Sequence, residues 1–222
     1  MALKKVSRPT VIAGSLFGLL SCFSPISCTS CFGQLLAADI SPKKQCWMDM
    51  KYDKVVRQQY TFSCGLASLA SVMTSLGDVV TENELVEIMK ASFSEAEIQQ
   101  ILQQGLNPRE IEQLIATINI THQHSNKTYL WKQYKNLTMD DLQVLHNKIG
   151  DSVIVFLTVR GANHYAIYAG EQGTKIHLRD SIRGNVYLPK WQFLEEWHGG
   201  VLALVRLDSA EAMTKKEQAK TP

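Results

Sequence analysis

The chain has 222 residues, and its 45% hydrophobic and 20% charged residues give the composition of one globular domain with short appendages. Three basic residues and no acidic residue precede Asp39, and the formal charge of the whole chain is only +2. This balance gives no indication of a nucleic-acid or anionic-membrane partner, and the sequence contains no phosphate-binding glycine loop of the ATP-binding type.

The first 38 residues have the organisation of a secretory signal peptide. A basic start is followed by an apolar run from Val11 to Phe23, which is too short for a comfortable membrane span. The small residues Ala37 and Ala38 then offer a cleavage site. We therefore expect an exported protein, periplasmic or secreted, with a signal peptide, an N-terminal extension, a folded domain and a mobile tail, over residues 1–38, 39–50, 51–207 and 208–222.

Two other interpretations of the N-terminal segment stay open. Leu19-Leu20-Ser21-Cys22 loosely resembles the signal of a lipoprotein, in which the cysteine carries the lipid. Alternatively, the apolar run is not removed and anchors the protein to a membrane. In both cases the folded domain would be exported and held at a membrane surface.

The chain has five cysteines, and two of them, Cys46 and Cys64, follow the expected cleavage site. An even number of cysteines in an oxidising compartment permits a disulfide. A bridge between Cys46 and Cys64 is therefore one interpretation, and it would make the domain a non-catalytic peptide-binding module.

Helical patterns dominate the first half of the folded domain. From Cys64 onward, apolar residues recur at the spacing of one buried helix face, and Gly77 ends the run. Thr81 and Ser94 each have a glutamate three residues later, as in a capping box, and Pro108 suits a first helical position. The sequence predicts helices over about 64–76, 81–90, 94–104, 107–117 and 138–148.

The periodicity changes after Ser152. Val153–Leu157 is a continuous apolar run, which is typical of a strand buried on both faces. Further strands are predicted over about 128–131, 164–169, 174–180, 185–188 and 201–206, with an aromatic helix from Pro189 to Trp197. This order predicts an α+β fold in which a helical half, led by the Cys64 helix, packs on an antiparallel β-sheet.

Cys64 has the position of a nucleophile. At a helix N-terminus, unpaired N–H groups and a partial positive charge favour the thiolate over the thiol. Gln58, six residues earlier, can donate a side-chain N–H to an oxyanion together with the backbone N–H of Cys64. A surface glutamine and a small buried cysteine would give the same pattern, so the catalytic interpretation depends on a base elsewhere in the chain.

His164 is the best candidate for that base. It lies at the start of a predicted strand, after a turn containing glycine, and Asp180 ends the next strand. Two antiparallel strands joined by a turn bring these residues close together. Asp180 would orient the imidazole, and His164 would hold the Cys64 thiolate as an ion pair. No His/Cys set has zinc spacing, so we expect neither a metal nor another cofactor.

Three blocks of the sequence carry a resemblance to a known family. They are Gln58-Gln59-Tyr60-Thr61-Phe62-Ser63-Cys64-Gly65-Leu66-Ala67, His164-Tyr165-Ala166-Ile167 and Arg179-Asp180-Ser181-Ile182-Arg183-Gly184. In this order and separation they resemble the bacteriocin-processing, or double-glycine, peptidases, which are papain-like cysteine peptidases. The resemblance covers about residues 51–207.

The resemblance implies a role for each matching residue. Cys64 would be the nucleophile, His164 the general base and acid, Asp180 the orienting residue and Gln58 the oxyanion-hole glutamine, with Gln59 as second choice. It also implies cleavage after Gly-Gly in a leader or precursor peptide, with an export system in trans as a further partner.

A narrow cleft would explain such specificity, because a side chain beside the scissile bond would clash with its walls. Candidates for these walls are Tyr60, Phe62, Tyr165 and Trp197.

The sequence also departs from that family. Ser63 stands where transporter-linked members usually have an acidic residue, and Ser181 where proline is common. No membrane region or nucleotide-binding motif follows the domain in this sequence. Another papain-like acyl-transfer enzyme, such as a cell-wall amidase or a transglutaminase, therefore remains an alternative.

Overall fold

The computed structural model describes residues 46–121 and 127–208. The expected signal peptide, residues 39–45 of the expected extension and the tail from residue 209 lie outside the described residues. The helices are α1 Trp47–Lys51, α2 Cys64–Ser75, α3 Glu82–Ser92, α4 Glu95–Gln104, α5 Pro108–Thr121, α6 Met139–Ile149 and α7 Lys190–Glu196. The strands are β1 Lys127–Tyr134, β2 Val153–Val159, β3 Ala162–Gln172, β4 Lys175–Asp180, β5 Gly184–Pro189 and β6 Trp197–Asp208.

Local capping signals position three of the helices. Thr81, Ser94 and Thr138 each accept a hydrogen bond from the backbone N–H three residues later, and the acidic residue there binds back to the cap. These capping boxes open α3, α4 and α6 where the sequence predicts them. α1 was not predicted, because five residues with no buried side chain give no helical periodicity.

All six strands belong to one antiparallel sheet with the order β1-β6-β2-β3-β4-β5. The predicted α+β class is confirmed, and each predicted strand overlaps an observed one. β1 and β6 are longer than predicted because they pair with each other over eight positions, from Lys127–Asp208 to Tyr134–Val201.

The sheet is covered by helices on both faces. α2 and α5 pack on one face, where Ile154, Ile167 and Leu202 belong to their apolar cluster, and α3 packs on α2 and α5. α6 and α7 pack on the other face, against a cluster that includes Val153 and Val155. β2 is therefore buried on both faces, as its continuous apolar sequence predicts.

One extra residue in β3 decides which side chains share a face with Asp180. Ala166 pairs with Asp180, and Tyr168 pairs with Leu178, but Gly170 pairs with His177. Ala169 is thus unpaired in a β-bulge. Directly paired residues point to the same face, and so do residues two apart in one strand. His164 therefore shares the face of Ala166 and Asp180.

The start of the predicted domain, together with Met50 just before it, packs against β5. The side-chain amide of Asn185 lies 3.1–3.3 Å from the carbonyl oxygens of Met50, Lys51 and Asp53, within donor distance. Gly184 has a φ of +78°, and a Cβ there would lie 2.3 Å from the Lys51 carbonyl oxygen. Glycine is needed at this position for both its backbone conformation and the close approach of residues 50–53.

Candidate active site

Cys64 is the first residue of α2, and 8% of its surface is exposed. The first N–H groups of a helix lack acceptors within the helix, so they present donors and partial positive charge beside the sulfur. The side chain of Cys64 interacts with His164, and this interaction raises the pKa of the imidazole. The structure thus brings together two residues that are one hundred positions apart in the sequence.

His164 lies between Cys64 and Asp180. Its Nε2 is 3.0 Å from Oδ2 of Asp180, which leaves Nδ1 as the ring nitrogen for the thiol. Asp180 is completely buried at the end of β4. The strand start predicted for His164 is slightly wrong, because β3 begins two residues earlier, at Ala162.

Four donors surround the Asp180 carboxylate. Oδ1 accepts hydrogen bonds from the backbone N–H groups of Ile182 at 2.8 Å and Arg183 at 2.9 Å. Oδ2 accepts Nε of Arg183 at 2.7 Å in addition to the His164 bond. Arg183 belongs to the third of the sequence blocks that resemble the peptidases, but the sequence predicts no role for it. Its spacing of three residues from Asp180 across a turn was the available signal.

The surroundings of His164 and Asp180 set the charge of both side chains. Burial lowers the pKa of His164, but the hydrogen bonds and negative charges of Asp180 and Cys64 outweigh burial and raise it to about 9. Burial raises the pKa of Asp180, but His164 and Arg183 outweigh this effect and hold it well below its usual range. At neutral pH the pair is therefore an imidazolium and a carboxylate.

Gln58 and Gln59 face different surroundings. Gln58 is half-buried in the same cleft as Cys64, and its Nε2 donates to the carbonyl of Tyr60. An amide nitrogen carries two N–H groups, so a second donor remains. Gln59 is exposed, and its backbone N–H binds the carboxylate of Glu82. The geometry favours Gln58 as the side-chain donor to an oxyanion.

The candidate residues line one cleft of about 560 Å³, which includes Gln58, Cys64, His164 and Asp180. A second hollow, of about 310 Å³, shares Asn163 and His164 with it. Open surface therefore lies on both sides of His164, which is the arrangement that an extended chain crossing the imidazole requires.

The walls of the second hollow agree only in part with the sequence expectation. Tyr165 lines it, together with Pro108 and Phe156, and the Tyr165 and Phe156 rings meet edge to face at 5.0 Å. Phe156 was missed, because a strand buried on both faces gives no signal of which residue reaches a cleft.

The other three expected wall residues, Tyr60, Phe62 and Trp197, do not line this hollow. Tyr60 is 41% exposed and stacks on Phe62. Trp197 is buried, stacks on Phe193 and donates its ring N–H to Gly200.

Cys46 and Cys64 are both free thiols in this structure. Cys46 is exposed at the start of α1, whereas Cys64 is buried at the start of α2. The disulfide between Cys46 and Cys64, which the sequence left open, is therefore not formed in this structure.

Within the described ranges, no three His, Cys, Asp or Glu side chains are grouped so that they could hold a metal ion. Across residues 46–121 and 127–208, no helix has both the length and the apolar character that a membrane crossing needs.

Comparison with solved structures supports the fold. The peptidase domain of Streptococcus ComA, described as a bi-functional ABC transporter involved in a quorum sensing pathway, matches with a TM-score of 0.52 and 21% identity. The match covers 68% of this chain and 96% of that domain. The predicted papain-like arrangement, with a helical half on an antiparallel sheet, is thereby confirmed.

Sequence comparison finds distant relatives and a family. The probable functional amyloid protease FapD of Pseudomonas fluorescens is 23% identical over 76% of this chain and 67% of that protein. FapD of Pseudomonas aeruginosa is 22% identical over 71% of this chain and 62% of that protein, so the match leaves a third or more of each relative uncovered. The model of the peptidase C39 family matches residues 52–209. The chain therefore belongs to the peptidase C39 family and is a cysteine peptidase.

Proposed function

We propose that this chain is an exported thiol peptidase that cuts a leader or precursor peptide after Gly-Gly. The observation that carries the proposal is the series of interacting side chains Cys64–His164–Asp180 at the wall of an open cleft. Cys64 is the nucleophile, His164 the general acid and base, and Asp180 the group that orients the imidazole and stabilises its charge.

Acylation uses the ion pair. The Cys64 thiolate attacks the carbonyl carbon, a C–S bond forms, and the carbonyl oxygen becomes an oxyanion. Collapse of this intermediate breaks the C–N bond, and the imidazolium of His164 gives its proton to the leaving amine. Deacylation reverses these roles. Neutral His164 takes a proton from water as the water oxygen attacks the thioester, the C–S bond breaks, and the acid product leaves.

Two donors stabilise the oxyanion in this mechanism. They are the remaining side-chain N–H of Gln58 and the backbone N–H of Cys64 at the start of α2. Both are fixed before substrate arrives, Gln58 by Tyr60 and Cys64 by the helix itself. The chemistry needs no metal and no other cofactor.

Specificity for Gly-Gly is supported by the family and by the shape of the site. Pro108, Phe156 and Tyr165 line the hollow beside His164. Glycine fits between such walls, whereas a larger side chain requires overpacking of a rigid site. The partners would be a peptide or precursor protein and an export system in trans, since the structural relative ComA is a transporter.

The test is a panel of synthetic peptides that end a leader in Gly-Gly. We expect cleavage after the second glycine, and loss of cleavage when either glycine is replaced by valine. Cys64→Ala should abolish activity and Cys46→Ala should leave it intact. Equal cleavage of peptides with leucine before the scissile bond would refute the narrow cleft. Release of peptidoglycan stem peptides, or transfer from a glutamine donor, would instead assign an amidase or a transglutaminase.

A further inference from the structure

A buried carboxylate beside the candidate site has no part in the mechanism above. Glu82 is the first residue of α3, and only 1% of its surface is exposed. The capping box formed by Thr81 and Glu84 fixes the start of this helix. Charged side chains are rarely this buried unless they are hydrogen-bonded, so the partners of Glu82 explain its placement.

Glu82 binds both ends of the segment between Gln58 and Cys64. The backbone N–H of Gln59 lies 2.9 Å and 3.2 Å from the two carboxylate oxygens. The hydroxyl of Ser63 is hydrogen-bonded to Oε1. Gln59 directly follows Gln58, and Ser63 directly precedes Cys64. One carboxylate thus holds the two residues next to the proposed oxyanion donors.

We propose that Glu82 is a positioning residue that fixes the distance between the Gln58 amide and the Cys64 N–H. The inference rests on the proposed function, because it concerns the oxyanion site of that reaction. Glu82 touches Gln59 and Ser63 and acts on the substrate through them. A displacement of about 1 Å at such a site costs on the order of 100-fold in rate.

Other contacts make this segment a unit held by the start of α3. The hydroxyl of Tyr60 donates to Oδ1 of Asn83 at 3.1 Å, next to Glu82 in the helix. The backbone N–H of Ser63 donates to the carbonyl of Tyr60 at 3.3 Å and closes a turn. Residues 59–63 are therefore bound to α3 at both ends and in the middle.

The contacts at position 82 suit a carboxylate. Both partners present donors, and an ionised carboxylate has acceptors only. A glutamine amide at the same place keeps only one oxygen acceptor, and its N–H₂ group would face the N–H of Gln59 or would reverse the hydrogen bond with Ser63, whose hydroxyl also donates to the Tyr60 carbonyl at 2.9 Å. The N-termini of α2 and α3 also stabilise a negative charge between them.

The experiment compares two reactions of the same sulfur in Glu82→Gln. Acylation by p-nitrophenyl acetate passes through an oxyanion, whereas alkylation by iodoacetamide does not. Glu87→Gln is the matched control, since Glu87 lies on the same helix, is 71% exposed and pairs with Lys90. We expect Glu82→Gln to slow acylation by about 10-fold or more, with alkylation unchanged. The control should leave both rates at the wild-type level.

Three results would overturn the inference. Unchanged acylation in both Glu82→Gln and Glu82→Ala would remove any role in the oxyanion site. Parallel losses of acylation and alkylation would assign Glu82 to folding alone. If Glu82→Gln does not fold, Ser63→Ala removes one of the same hydrogen bonds. Wild-type rates of both acylation and alkylation in Ser63→Ala would also contradict the proposal.

Because p-nitrophenyl acetate is not a peptide, the Glu82 test does not depend on the proposed Gly-Gly specificity. A wild-type protein that shows an ester burst at Cys64 but cuts no Gly-Gly peptide would refute the proposed specificity and leave the Glu82 comparison intact. A wild-type protein without an ester burst would overturn both proposals.

Discussion

Gln58 and Ser181 bind each other through two hydrogen bonds, although 123 residues separate them in the chain. The backbone N–H of Gln58 donates to the Ser181 carbonyl at 3.0 Å, and the Ser181 hydroxyl donates to Oε1 of Gln58 at 3.1 Å. Because Ser181 follows Asp180, these bonds join the segment before Cys64 to the end of β4. The proposed oxyanion donor and the orienting carboxylate thus belong to one network, whose members can be tested separately.

Replacing Gln58 tests the oxyanion donor. We expect Gln58→Ala to lower kcat by about 100-fold to 1,000-fold with a small change in KM, because the donor acts on the charge of the transition state. Gln59→Ala is the control. The Gln59 side chain is exposed, and its backbone N–H still binds Glu82, so this variant should keep wild-type activity. Steady-state cleavage of the Gly-Gly peptide measures both, and a larger loss in Gln59→Ala would reverse the assignment.

The charge of Asp180 sets the alkaline limit of activity. His164 must be protonated to give its proton to the leaving amine, so activity should fall as the pH rises through a pKa of about 9. Asp180→Asn removes the negative charge that raises this pKa. The pKa of His164 then falls, and the alkaline limb of the kcat/KM profile should move to lower pH by about one unit or more. An alkaline limb that stays in place would show that Asp180 does not control the imidazole.

Alkylation rates distinguish a nucleophile from an ordinary thiol. At about pH 6, well below the pKa of about 8.5 of a free thiol, iodoacetamide should label Cys64 faster than Cys46. Exposure alone predicts the opposite order, because Cys46 is exposed and Cys64 is buried. His164→Ala removes the imidazolium and should remove the advantage of Cys64. Peptide mass spectrometry of the labelled protein measures both sites, and faster labelling of Cys46 in the wild type would contradict the ion pair.

The close approach at Gly184 links the N-terminal segment to the site. Gly184→Ala combines a positive φ with a Cβ that meets the Lys51 carbonyl, so it should lower the free energy of unfolding by about 2 kcal/mol or more. Activity should fall as well, because the same turn carries the N–H groups that bind Asp180. Gly173→Ala is the control: it has a φ of +62° with nothing within 4 Å, so it adds backbone strain alone. Equal effects in a urea titration would show that the contact with Lys51 is unimportant.

Much of this fold follows from local signals in the sequence. The caps at Thr81, Ser94 and Thr138 act within one turn of chain, so they predict helix starts without knowledge of the tertiary structure. The alternation in β4 correctly places Ile176 and Leu178 on the buried face with Asp180. The predicted pairing of two consecutive strands places His164 beside Asp180, and the structure shows this contact.

Features that depend on distant contacts could not be predicted. Glu82 is one of several glutamates in a helical stretch, and its burial arises only when α3 packs beside residues 59–63. The carboxylate expected at position 63 from the family resemblance is absent, yet the Ser63 hydroxyl is bound to this distant one. The α1 contacts with Asn185 have the same origin, since the two segments are more than 130 residues apart.

The bulge at Ala169 decides whether Asp180 lies across from an even-numbered or an odd-numbered residue of β3, and so whether it shares a face with His164. If the ladder ran on from the Gly170–His177 pair without the bulge, Ala169 would pair with Leu178, and Asp180 would pair with Ile167 on the face opposite to His164. Deletion of Ala169 itself would keep Ala166 opposite Asp180, because it removes the residue that the bulge leaves unpaired. Residues 173 and 174, at the tip of the hairpin, lie beyond the last strand pair. Insertions there should be tolerated in any number that the turn allows, whereas one residue inserted between Leu178 and Asp180, with the ladder kept regular, would turn Asp180 to the opposite face and separate the imidazole from its carboxylate.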